Sequence, residues 1–184
     1  MHISLPHSIE NPIGEKIIFH AVVPHPEGEK LLAENFVAPN IGPVMHTHWL
    51  QDEVFTVVNG NLGYEIAGQG KKFAGPGDTV FFKRGIPHRF WNAGTDILHC
   101  KGYVQPAYNT VFFLSSLFAA QQKSGTAKPA LFEIAFLATR YKSEFDITDM
   151  PAFVKTVVVP VVYFVGKLLG KYKQFAHAPA AVKA

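Results

Sequence analysis

The segment Gly42-Pro43-Val44-Met45-His46-Thr47-His48-Trp49-Leu50-Gln51-Asp52-Glu53 carries two histidines two positions apart and an acid five positions after the second. Alternate side chains of a strand share a face, so a strand over residues 44–50 aims both imidazoles the same way. A following strand over 53–58 returns the Glu53 carboxylate to the same place. Two imidazoles and a carboxylate that converge are ligands for a divalent ion. Downstream, Gly77-Asp78-Thr79-Val80-Phe81-Phe82-Lys83-Arg84-Gly85-Ile86-Pro87-His88-Arg89-Phe90-Trp91-Asn92 offers a third imidazole, His88, after a tight turn.

Turn signals recur on both sides of this segment, among them Asn11-Pro12, Pro39-Asn40, Asn59-Gly60, Gly75-Pro76-Gly77 and Ala93-Gly94. Between them lie short runs rich in β-branched and aromatic residues. They predict strands over 16–23, 29–38, 44–50, 53–58, 62–67, 71–74, 79–82, 88–91 and 96–104. Short strands at such spacing describe a sandwich or a closed barrel. Asn59-Gly60 is the residue pair that a two-residue hairpin turn favours.

The period changes after residue 105. Apolar residues at helical spacing predict helices over 108–122 and 129–141, separated by a loop containing Ser124-Gly125. Thr148-Asp149 before Met150-Pro151 reads as an N-cap with proline in the first turn of a third helix, 150–173. Pro160 is expected to kink or break it. Residues 176–184 read as a frayed tail.

Composition bounds the rest. With 184 residues the chain is long enough for one domain with its own core, and its formal charge of +3 is too small to argue for nucleic acid. One cysteine, Cys100, excludes an internal disulfide framework and fits a reducing, cytoplasmic setting. The first residues show no basic and apolar pattern of a secretory leader. The charge divides unevenly: residues 1–104 carry net −2 and residues 105–184 net +5, with five lysines and no acid from Lys155 onward. Two parts are expected, a β domain over 1–104 and a helical extension over 105–184 packed on the barrel or on a partner chain.

With the two histidine-bearing stretches laid side by side, the chain resembles the cupin superfamily. His46, His48, Glu53 and Gly60 meet the spacing of its first motif, and Gly77, Gly85, His88 and Asn92 meet that of its second. The resemblance spans about residues 35–104, with a short segment, 61–76, between the motifs. Two positions depart from it: the glycine that usually opens the first motif falls on Asn40, and the proline usual in the second falls on Lys83. The resemblance implies a mainly β fold, the cupin double-stranded β-helix or jelly-roll barrel, carrying an α-helical C-terminal extension. It implies one divalent metal ion held by His46, His48, Glu53 and His88. Three nitrogens and one oxygen suit Fe, Mn, Zn, Ni or Cu alike. The residues by themselves leave a second reading open, a barrel whose histidines are hydrogen-bonded in a polar core.

Strand parity places Val44 and Leu50 on the His46/His48 face, Phe55 and Val57 on the Glu53 face, and Phe90 on the His88 face. These residues describe an apolar pocket for a small-molecule ligand, or equally a plain barrel core. Tyr64 and His99 are further candidates for the lining. Trp49 and Trp91 fall on the outward parity. Lys83, Arg84 and Arg89 cluster around the second-motif turn, where an anionic substrate would meet them. His2, His7, His20 and His25 fall outside any ligand spacing.

Residues 156–166 are uncharged and lie between Lys155 and Lys167. As a helix they reach about 17 Å at ~1.5 Å per residue, short of a ~30 Å bilayer core. Packing on the barrel or in a homodimer covers such a segment, and peripheral membrane contact through 151–173 is the alternative. The function expected is a metal-dependent, dioxygenase-like enzyme acting on a small organic substrate, aromatic molecules included. A non-catalytic metal or small-molecule binding protein and a metal-dependent isomerase are the alternatives.

Overall fold

Burial alternates along the strands as the sequence period requires, and this alternation assembles two facing sheets. The structure is a computed structural model that describes residues 3–183, so His2 and Ala184 lie outside the described residues. In chain order the strands are β1 (His7–Glu10), β2 (Glu15–Val23), β3 (Lys30–Val37), β4 (His46–His48), β5 (Asp52–Asn59), β6 (Leu62–Ile66), β7 (Lys71–Ala74), β8 (Thr79–Phe82), β9 (His88–Asn92), β10 (Leu98–Gln105) and β11 (Phe145–Ile147). The helices are α1 (Thr110–Ser124), α2 (Leu131–Arg140) and α3 (Val159–Leu168). One antiparallel sheet runs β1-β2-β3-β10-β5-β8 and the other β11-β4-β9-β6-β7. This is the mainly β double-stranded barrel expected, followed by helices.

The barrel core lies between the sheets. Val37, Val57, Phe82 and Leu98 enter it from the first sheet, and Leu62 and Phe90 from the second. Each fully buried side chain of this kind contributes about 1.5–3 kcal/mol. Cys100 belongs to the same cluster, and burial pushes its thiol up to about 12, so it acts as a small apolar residue. Farther along the same face of the first sheet, Phe19, Leu31 and Val104 are covered by Phe118 of α1. A third cluster, Phe136, Leu137, Tyr141 and Phe145, joins the helices to the barrel and holds Tyr163 and Tyr172 against it.

Four features differ from the sequence reading. First, β1 and β11 were not expected. β11 follows α2 yet pairs with β4, placing Phe145 opposite His48 and Ile147 opposite His46. The helical half therefore supplies an edge strand to the barrel, and a boundary at residue 104 does not separate sheet from helices. Second, Thr148 and Asp149 do not cap a helix. The Thr148 hydroxyl meets that of Thr47 at 3.0 Å, and Asp149 Oδ2 accepts from the Met45 N–H at 3.3 Å. Both side chains fasten β11 to β4 instead.

Third, residues 150–173 are not one regular helix. Helix begins at Ala152, passes through a π-helical turn at Val154–Val158, and continues as α3 to Leu168. Pro160 has no N–H to donate, and its ring would strike the carbonyl of residue 156 in a regular helix. The wider turn, in which the Val159 N–H reaches Val154 O, accommodates it. Fourth, the tail is tied down. Tyr141 Oη donates to Pro179 O at 2.9 Å, Ser143 Oγ to Val182 O at 2.7 Å, and Asn109 Nδ2 to Ala180 O at 2.9 Å. Alanine and proline in that tail offer only backbone groups, so no side-chain pattern announced these bonds.

Candidate metal centre

Antiparallel pairing of β4 with β9 sets His46 directly opposite His88. His48 follows on the same face of β4, and Glu53 enters from β5 after a short connection. One ligand atom from each of His46, His48, Glu53 and His88 lies within 4.8 Å of all the others, so the four could hold a metal ion. The ring centroids stand 4.6 Å apart for His46–His88, 5.0 Å for His46–His48 and 5.4 Å for His48–His88.

The rings are oriented by the backbone. His46 Nδ1 lies 2.8 Å from Val44 O, and His88 Nδ1 lies 3.0 Å from Ile86 O. A carbonyl only accepts, so each Nδ1 carries the proton and each Nε2 presents a lone pair. His88 Nε2 then faces Glu53 Oε2 at 3.3 Å. When protonated, that Nε2 donates to the carboxylate, and a metal ion between the two atoms would take the proton's place. His48 Nδ1 is buried with no hydrogen-bond partner among the described residues, a further free donor site for an ion.

Protonation follows the same logic. Burial holds the His46 imidazolium down at about 4 and that of His48 at about 3, with neighbouring imidazoles adding to the effect. Burial alone would raise Glu53. The His88 contact and the three imidazoles outweigh it and hold the carboxyl at about 2. Neutral imidazoles around an ionised carboxylate are the form that a divalent cation requires. The residues present thus fit a metal ion.

The glycines of the two stretches take backbone conformations that favour them: φ is +94° at Gly60, +91° at Gly77 and +76° at Gly85. Asn40, standing where the family usually has glycine, adopts φ +62°, a region asparagine tolerates better than most residues. Asn92 ties its own turn, donating to Val37 O and Asp96 O at 2.7 Å each and accepting from the Gly94 N–H at 2.8 Å.

The candidate lining residues separate into three groups. Phe55, Val57 and Phe90 are buried in the barrel core, with Tyr64 partly buried against it and Leu50 half-buried. Val44 is 56% exposed and borders an outer groove, because β4 proper begins only at His46 and the chain before it leaves the strand. His99 stands on the opposite parity to buried Cys100, stacks on Phe36 at 4.3 Å and meets Glu34 at 2.9 Å. Trp91 packs outside, over Gly63 and edge-on to Phe73. Arg84 pairs with Asp52, and Arg89 with Glu65. Lys83 instead borders a cavity of about 340 Å³ together with Ile66, Phe81, Phe82, Ile86 and His88. Phe82 stacks on His88 at 4.4 Å.

Three contributors had no signal in the sequence. Phe145 stands edge-on to His48 at 5.4 Å. Gln51, between the second histidine and the acid, donates through Nε2 to Glu144 Oε2 at 3.2 Å. Glu15, buried at the start of β2, accepts from Asn35 Nδ2 at 3.1 Å and Asn11 Nδ2 at 3.4 Å. Burial pushes the Glu15 carboxyl up to about 7 against the Asn35 hydrogen bond, and the Glu53 charge pushes the same way.

Glu15 confers a pH dependence on stability. Its folded value of about 7 lies above the ordinary 4.5, so the folded state binds the proton more tightly. Its contribution to stability is complete below about 4.5 and is lost as pH rises through 7, on the order of 3 kcal/mol in all. Denaturant unfolding of wild type and Glu15→Gln at pH 5 and pH 8 checks this. The variant should gain on wild type at the higher pH, and equal differences at both would refute it.

The fold and the centre together define a small β-barrel with a His/Glu cluster that could hold a metal ion. Residues 36–101 match the Cupin domain family. Among solved structures, the chain is similar to the polyketide cyclase RemF from Streptomyces resistomycificus, with 22% identity over 56% of this chain and 76% of that one and a TM-score of 0.45. It is similar also to a predicted oxalate decarboxylase from Thermotoga maritima, with 20% identity over 54% and 90% and a TM-score of 0.43. A protein with a double-stranded β-helix domain from Klebsiella pneumoniae is 21% identical over 47% and 74%, with a TM-score of 0.40. No curated protein matches the chain.

Proposed function

We propose that the protein is a metal-dependent enzyme acting on a small organic substrate, with dioxygenase-type chemistry. The observation that carries this reading is the convergence of three oriented imidazoles and one ionised carboxylate at a single point. His46, His48, Glu53 and His88 would hold the ion through four side chains. The ion, one of Fe, Mn, Zn, Ni or Cu, would supply Lewis acidity or dioxygen activation.

The chain's own residues supply the rest. Val44 O and Ile86 O fix the proton on Nδ1 of His46 and His88, which keeps both Nε2 atoms available. The cavity beside His88 has apolar walls from Ile66, Phe81 and Ile86 and a cation, Lys83, with no carboxylate at ion-pair distance among the described residues. Such a cavity suits an organic molecule with an apolar or aromatic body and an anionic group. A non-catalytic binding protein is the second reading, favoured by the packing of Phe55, Val57 and Phe90 into a filled interior.

Oxygen uptake by the metal-loaded protein across phenols, diketones, thiols and aromatic acids tests the proposal. Turnover of an anionic aromatic member, with KM raised in Lys83→Ala and kcat little changed, supports it. Saturable binding of the same compounds without turnover, with any of the five metals, assigns the protein to the second reading.

A further inference from the structure

The helix from Ala152 to Leu168 turns one side toward α2 and leaves the other uncovered. Gly166 is buried, and Tyr163 packs with Phe136 and Tyr172 on the covered side. On the open side, Phe153, Val157, Val161, Phe164, Leu168 and Leu169 are each between 45% and 70% exposed. Within α3, Val161, Phe164 and Leu168 recur at three- and four-residue spacing, so they form one ridge. A continuous apolar ridge of this kind on a protein surface marks an interaction site.

The charges around the ridge indicate its occupant. Lys167, Lys171 and Lys173 are exposed at its C-terminal end, and no acid occurs anywhere from Lys155 onward. A second copy packed by a two-fold contact would set this segment against its own equivalent, and residues 150–184 carry no side-chain carboxylate to answer the lysines. An anionic surface meets both features at once. Phenylalanine, leucine and valine enter the acyl boundary while lysines reach the headgroups. Among the described residues no helix is long and apolar enough to cross a membrane. The ten residues of α3 span about 15 Å, so the segment fits a helix lying in the interface.

We propose that the α3 ridge docks the protein on an anionic phospholipid surface. The barrel's metal centre takes no part in this contact, and the proposal stands apart from the catalytic reading. Co-sedimentation of the full chain with phosphatidylcholine vesicles, with and without phosphatidylglycerol, tests it. Binding is expected on the mixed vesicles at low salt, weakened when salt shortens the Debye length to about 3 Å. Each lysine beside an anionic surface is worth roughly a factor of five, so Lys167→Gln, Lys171→Gln and Lys173→Gln together should weaken binding on the order of 100-fold. Phe164→Asp with Leu168→Asp should abolish it, while the melting temperature and metal content stay near wild type and show that the variants fold.

Protein that remains in the supernatant with mixed vesicles at low salt overturns the proposal. Light scattering then gives the alternative occupant: a dimer that Phe164→Asp dissociates, in a protein that ignores vesicles, assigns the ridge to a second copy of the chain.

Discussion

Purified protein loaded with a divalent metal should retain about one equivalent, and His46→Ala and His88→Ala should each lose it. Four-ligand zinc sites bind with roughly 10–16 kcal/mol at neutral pH, or about 3 kcal/mol per ligand, so one imidazole removed should weaken binding more than ~100-fold. His88→Ala should have the larger effect. It deletes a ligand and also leaves the Glu53 carboxylate, which meets His88 at 3.3 Å, buried with less to offset its charge. Acid should act in a definite direction. His46 and His48 titrate near 4 and 3 when folded and near 6.5 when unfolded, so unfolding takes up protons between those values. The metal-free protein therefore loses stability as pH falls from about 6.5 toward 4, and bound metal is released over the lower part of that interval. Metal analysis after dialysis at graded pH measures this. Wild type that cannot be loaded, or His46→Ala that still holds a full equivalent, would show that the cluster is only a polar core.

Glu144→Ala should be the most destabilising single substitution outside the centre. The Glu144 side chain is fully buried and accepts from the Asn109 N–H at 3.3 Å, Asn109 Nδ2 at 2.6 Å, Gln51 Nε2 at 3.2 Å and the Val182 N–H at 3.0 Å. Its own carbonyl accepts from the Trp49 N–H at 2.8 Å. One carboxylate thus joins the entry to α1, the β4–β5 connection and the C-terminal tail. Truncation leaves several buried donors without partners, each costing about 1–3 kcal/mol, for a total of roughly 3–5 kcal/mol. In a chain of this size that is a fall of about 10 °C in Tm. Because Gln51 stands between His48 and Glu53, metal affinity should fall too, by roughly the 10–100-fold that removing a supporting partner costs. Thermal unfolding with and without metal separates the two effects. A Tm within a degree or two of wild type would mean that the tail and loop are held by something else.

Both predictions turn on how differently the two sites are written in the chain. His46, His48 and Glu53 lie within eight residues of one another, and His88, 35 residues beyond Glu53, opens a strand that follows a second glycine-marked turn, so the spacing within each stretch follows from strand geometry. Two-residue alternation fixed which face each ligand takes, and glycines at positive φ marked the turns between them. The barrel strands β2 through β10 were legible for the same reason. Glu144, by contrast, lies 93 residues from Gln51 and 35 from Asn109. No local period or turn signal connects them. A three-residue strand such as β11 is also too short to show alternation, so its place beside β4 emerges only when α1 and α2 have packed.

The lining residues mark the same boundary. Parity correctly separates inward Phe55, Val57 and Phe90 from outward Trp91, because alternation is a local property of the strand. Whether inward residues border a cavity or fill a core depends on what faces them across the barrel, and here they meet one another. The sequence by itself determined the barrel, the four ligand candidates and the helical character of the C-terminal half. Tertiary structure alone decided that Glu144 buckles tail, helix and loop together, that Lys83 borders the cavity beside His88, and that one side of α3 stays uncovered. Ligand spacing along a strand is a matter of a few bond lengths and a fixed period. Contacts between distant segments are set by which surfaces remain after every element has packed.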